Sequence, residues 1–154
     1  MSGDFDIVHY AGHGDYNAAE PDSTGWVFGM NTVLTARDIF RARKVPRLVF
    51  ANACFSGVVR DGPAFSRDEM APALATIAQA FFERGVPNYV GSGWPVDDAQ
   101  ALTMADRFYR EMIQRKSIGD ALYTARKALF DEAIESTWGA YQHYGDPNDT
   151  ILRA

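Results

Sequence analysis

Four apolar runs punctuate the chain, and each meets glycine or proline at a boundary. Asp6 to Ala11 reads DIVHYA and ends at Gly12, while Arg47 to Ala53 reads RLVFANA and follows Pro46. Both predict strands buried on two faces, because a short continuous apolar run bounded by turn residues suits a sheet covered on each side. A third run, Asn88 to Ser92, lies between Pro87 and Gly93. Thr137 to Tyr144, TWGAYQHY, is aromatic-rich and closes on Gly145, Asp146 and Pro147, which predicts a fourth strand.

Between these runs the apolar spacing changes to that of helices. Thr35 and Asp38 form a capping-box pattern that starts a short helix through Ile39 and Phe40. A longer helix begins near Pro72, turns Leu74, Ile77, Ala78 and Phe81 to one side, and stops at Gly85. A third carries Leu102, Ala105, Tyr109 and Met112, with Asp97 or Asp98 as its cap. The fourth opens with Ser117 and Asp120 and buries Ile118, Leu122, Ala125 and Leu129. Strands alternating with helices predict an α/β domain with a mostly parallel sheet and helices on both faces. Such a sheet offers ligands the carboxyl ends of its strands.

Two reactive side chains fall there. The first strand runs into Gly12, His13 and Gly14, and the second into Cys54, Phe55, Ser56 and Gly57. If the strands are parallel neighbours, His13 and Cys54 emerge about 4.8 Å apart at the backbone. A thiol with a pKa of about 8.5 needs an imidazole nearby to become a nucleophile at neutral pH. The flanking glycines let a substrate backbone approach, and the amides of Gly14 and Cys54 are candidates for an oxyanion hole. The competing reading makes Cys54 a small buried hydrophobe and His13 a turn residue.

The 154 residues, 1–154, suit a single domain, and 47% hydrophobic with 23% charged residues fits a folded protein. A net charge of -5 argues against nucleic acid or anionic lipid as the main partner. The weakly polar stretch from Met70 to Phe82 is too short to cross a bilayer, and the opening MSGDFDIVHY is not a secretion signal. A cytoplasmic setting is expected. One cysteine and three histidines cannot form an internal disulfide or a standard thiolate and imidazole zinc site.

VHYAGHG, then VFANACFSG with Cys54 41 positions after His13, VPNYVGSGWPVDDAQALTMADRFYREM, ALYTARKAL and TWGAYQHYGDP together resemble the CHAT peptidases, caspase-like domains found with TPR repeats. The chain is similar, more distantly, to separase, metacaspase and caspase catalytic domains. The resemblance implies a caspase-like fold in which Cys54 is the nucleophile, His13 the general acid and base, and Gly14 an oxyanion amide. It implies hydrolysis of a peptide bond in a protein or peptide substrate, with no cofactor or metal needed and with a TPR or other sensor domain as regulator. A full caspase-like sheet has strands before the histidine strand, so a longer protein is expected around this chain, with a strand edge left open where neighbours are missing.

Specificity departs from the Arg-cleaving relatives. They carry acids near the cysteine and after the next strand, where this chain has Asn52 and, following Trp94, Pro95. Asn52, Trp94, Asp97 and Asp98 are the candidate substrate-binding residues; for the two acids, helix capping is an equal alternative. His9, inside the first strand, reads as a buried, hydrogen-bonded structural histidine and His143 as packed among aromatics, and the Gly91-Ser92-Gly93 turn lacks the lysine of a phosphate loop. Val58 to Met70 reads as a loop bordering the site. A silent interaction module, or an acyl-transfer enzyme using the same two residues on a small thioester or amide, are the alternatives to a peptidase.

Overall fold

The computed structural model describes residues 5–15, 19–29, 32–54, 76–133 and 136–152, with Cys54 described by its backbone. The apolar runs at Ile7–Asp15 (β1), Leu48–Cys54 (β4) and Asn88–Ser92 (β5) form the parallel centre of a mixed sheet. Two short strands, Gly25–Phe28 (β2) and Thr32–Thr35 (β3), make a hairpin on one side, and Tyr141–Gly145 (β6) lies antiparallel to β5 on the other. The order is β3-β2-β1-β4-β5-β6. The fold is α/β, as the alternation of elements predicts, and it is compatible with a caspase-like sheet.

Side-chain alternation gives the sheet two cores. Tyr10, Val49, Ala51, Ala53 and Tyr89 face one way, where they meet Trp26, Ile39 of the helix Ala36–Phe40 (α1), and Ile77 and Phe81 of a helix described over 76–83 (α2). Leu48, Phe50 and Val90 face the other way, toward Met104, Phe108 and Met112 of Asp98–Ile113 (α3) and Ile118, Leu122 and Leu129 of Ile118–Asp131 (α4). Each of the larger aliphatic and phenylalanine side chains contributes about 1.5–3 kcal/mol by leaving water. Because both faces are covered, the central strands carry apolar residues at successive positions.

The caps follow the sequence. Thr35 and Asp38 form the reciprocal capping box of α1, and Ser117 accepts the Asp120 N–H at the start of α4. Two expectations need correction. Thr137 to Tyr144 is not one strand: Thr137–Ala140 is a single helical turn (α5), and β6 begins at Tyr141. Second, the buried stripe of α3 is Ala101, Met104, Ala105, Phe108 and Met112, so Leu102 is 70% exposed. β1 pairs with β4 over Ile7 to His13 and with β2 of the hairpin over His13 to Asp15. The start of α2 near Pro72, with Leu74, lies outside the described residues.

Candidate active site

β1 and β4 run parallel and end at the same edge of the sheet. Their ladder pairs Ile7 with Leu48 and continues residue by residue until His13 stands opposite Cys54 on its last rung. The two positions that carry reactive groups are therefore adjacent at the carboxyl ends of neighbouring strands, where this architecture presents ligands. The Cys54 side chain and the stretch from Val58 to Met70, expected as a loop, lie outside the described residues.

A cavity of about 450 Å³ opens beside this edge on the α3 side of the sheet. Its floor is His9, Ala11 and His13, which the two-residue period of β1 brings to one face. Asn52, the register partner of Ala11, extends the floor across β4. Asp98, Ala101, Leu102 and Ala105 form one wall from α3, and Pro95 and Val96 come from the turn after β5. Exposure of Leu102 has its explanation here: it faces the cavity.

The candidate residues take different places around it. Asn52 is tied at both ends of its amide, donating to the Ala101 carbonyl at 3.4 Å and accepting from the Tyr141 hydroxyl at 2.7 Å. It is a fixed, neutral part of the floor. Asp97 caps α3, its carboxylate accepting from the N–H groups of Ala99 and Gln100 at 3.0 and 3.2 Å. Asp98, one residue on, lines the cavity. Trp94 packs into the second core with its ring 3.4 Å from where a Gly139 side chain would begin, so the turn's contribution to the lining comes from Pro95 and Val96. Gly14 is buried, in register with Trp26 of β2.

His9 differs from its expected buried setting. Its ring is exposed at the cavity while stacking on Phe50 at 5.2 Å, and its Nδ1 meets the Tyr109 hydroxyl at 2.9 Å. Burial pushes the Tyr109 phenol upward and pulls His9 below the usual imidazole value. The phenol stays protonated, so the Tyr109 hydroxyl and the His9 Nδ1 share one hydrogen bond whose donor follows the imidazole tautomer. The spacing of His9 and His13, four residues apart on one strand, is the sequence signal that both belong to this floor. His143, by contrast, bonds Asn88 at 3.1 Å at the opposite end of the sheet.

No match to a curated protein was found. The model of the CHAT domain, a caspase-like, protease-related domain, matches residues 1–146, and the chain belongs to that family.

Proposed function

We propose that the chain is a cysteine endopeptidase in which Cys54 attacks the scissile carbonyl and His13 carries the proton. The observation that carries this reading is the shared rung of His13 and Cys54 at the mouth of a cavity wide enough for a side chain. The Cys54 thiolate adds to the carbonyl carbon, and the amides of Gly14 and Cys54 stabilise the oxygen that becomes negative. Collapse breaks the C–N bond as His13 protonates the departing amine. Water then hydrolyses the thioester, with His13 taking its proton, and Cys54 is released. Asn52 and Asp98 border the side chain that precedes the cleaved bond, with Trp94 supporting the turn behind them.

Membership of a protease-related family supports a peptide rather than a small acyl group as substrate. The protein works in the cytoplasm under the control of an attached or separate sensor domain, for which TPR repeats are the first candidate. The test is a peptide-library digestion with the unchanged protein, Cys54→Ala and His13→Ala, read by mass spectrometry. Cleavage that both substitutions abolish supports the reading; cleavage that survives Cys54→Ala excludes it.

A further inference from the structure

Tyr10 lies on the face of the sheet away from the cavity, yet its hydroxyl reaches the histidine. The ring stacks on Trp26 with centroids 4.5 Å apart and planes within 4°. It lies along β1, across the position of Gly12, where a Cβ would come 2.6 Å from the Tyr10 oxygen and 2.9 Å from its Cζ. From there the single hydroxyl proton is shared between two carbonyls, those of Val27, at 2.7 Å, and His13, at 2.9 Å. Gly12 thus leaves room for a phenol on the far face, a use its place before His13 does not reveal.

We propose that Tyr10 is a positioning residue for the site, anchoring the His13–Gly14 peptide from behind. The inference rests on the reading of His13 as proton carrier. A peptide unit is planar and trans, so fixing the His13 carbonyl also fixes the Gly14 N–H, which points the opposite way, away from the hydroxyl. One hydrogen bond therefore sets two things: the backbone from which the His13 imidazole projects, and the direction of the amide that follows it. Polarising the carbonyl also strengthens the N–H of the same peptide as a donor. Burial raises the Tyr10 phenol above its ordinary value, against the opposing pull of its two carbonyl partners, so the anchor stays protonated wherever the enzyme works. The stacked ring supplies rigidity, and the hydroxyl supplies direction.

Cys54 is the sole cysteine of the chain, so its alkylation by iodoacetamide is an unambiguous readout. Rates are compared across pH for the unchanged protein, His13→Ala, Tyr10→Phe and Trp26→Phe, with thermal unfolding of each. Trp26→Phe loosens the ring stack and keeps the hydroxyl. Tyr10→Phe is expected to slow alkylation about fivefold at neutral pH, moving the profile toward that of His13→Ala. Trp26→Phe is expected to lose at least as much thermal stability and keep the unchanged profile. If Tyr10→Phe keeps the profile that His13→Ala loses, the Tyr10 role is overturned and the His13–Cys54 pairing stands. If Trp26→Phe shares the loss, the effect belongs to the fold and the proposal falls. Identical profiles for the unchanged protein and His13→Ala overturn the pairing, and the role of Tyr10 with it. Should Tyr10→Phe fail to fold, Gly12→Ala displaces the hydroxyl from the other side and is expected to give the same shift.

Discussion

The two ends of the central strands use polar residues in opposite ways. At the end where β4 and β5 begin, Asn88 is wholly buried and both ends of its amide are bonded, to Asp149 at 2.8 Å and to His143 at 3.1 Å. Arg47 donates to the carbonyls of Ile151 and Thr150 at 2.7 and 2.8 Å and stands 3.7 Å from Asp149. Gly145, at φ +138°, completes this end, because a Cβ there would come 2.4 Å from the Asn88 oxygen. At the other end His9, His13, Asn52 and Asp98 border an open cavity. The first end ties the segment after β6 to the sheet; the second keeps polar groups where a ligand can reach them. Stability and chemistry are thus separated by the length of a strand, and substitutions at the two ends are expected to move different observables.

The largest effect is expected at the cavity end. Cys54→Ala or His13→Ala removes the proposed nucleophile or base and is expected to lower kcat/KM for peptide hydrolysis by about 10³-fold or more, with a melting temperature within about 4 °C of the unchanged protein. Calorimetry beside a fluorogenic peptide assay measures both, and a collapse of the fold in either variant would break the separation. Asn88→Ala is the reciprocal case. It takes one hydrogen bond each from the half-buried Asp149 and His143, leaves a void at a buried site and is expected to cost about 1–3 kcal/mol in chemical denaturation, while Cys54 alkylation in the folded state is unchanged.

How much of this was legible follows from the range over which each signal acts. The capping pair Thr35 and Asp38 is local, and the structure repeats it bond for bond. The parallel pairing of β1 with β4 is long-range, but each strand announces itself by an apolar run and a closing glycine or cysteine motif, so the juxtaposition of His13 and Cys54 could be foreseen. The β2–β3 hairpin could not: its strands are four residues each, and their place depends on Trp26 stacking with Tyr10, a contact between residues 16 positions apart. The aromatic content of TWGAYQHY suggested one strand, yet its first four residues close a turn over Trp94 before Tyr141 enters the sheet. The anchoring of Tyr10 and the fixing of Asn52 could not be foreseen for one reason: their partners, on β2, α3 and β6, are settled only by tertiary packing.

A smaller effect concerns pH. His143 is held below its ordinary value of 6.5 by burial, with Asp146 opposing. The folded state then binds fewer protons than the unfolded state just below that value, so stability is full above about pH 6.5 and declines as the pH falls from there toward the depressed folded value. His9 acts in the same direction. His143→Gln retains a donor for the Asn88 oxygen and is expected to flatten part of the acid slope in urea unfolding measured across pH. An unchanged slope would assign it to other groups. The same substitution is expected to leave peptide cleavage untouched, since His143 belongs to the end that ties the sheet.

The smallest effects distinguish the neighbouring acids at the start of α3, where the two roles, capping and lining, meet within one dipeptide. Asp97 accepts two helix N–H groups, so Asp97→Ala is expected to cost about 1 kcal/mol of stability and to leave the cleavage profile unchanged. Asp98 makes no such cap; it is exposed and lines the cavity. A carboxylate in contact with water attracts a cation weakly, by about 0.2–1 kcal/mol, because solvent screens it. Asn52, on the floor opposite, is neutral and already bonded at both ends. Ala11, Val96, Ala101, Leu102 and Ala105 make most of the remaining surface apolar. The profile before the cleaved bond is therefore expected to favour an uncharged side chain, and Asp98→Asn is expected to change the relative rates of Lys and Leu peptides by less than about fivefold. A profile dominated by Arg or Lys and lost in Asp98→Asn would reverse that conclusion, making Asp98 the determinant of specificity and leaving Asp97 alone as the cap.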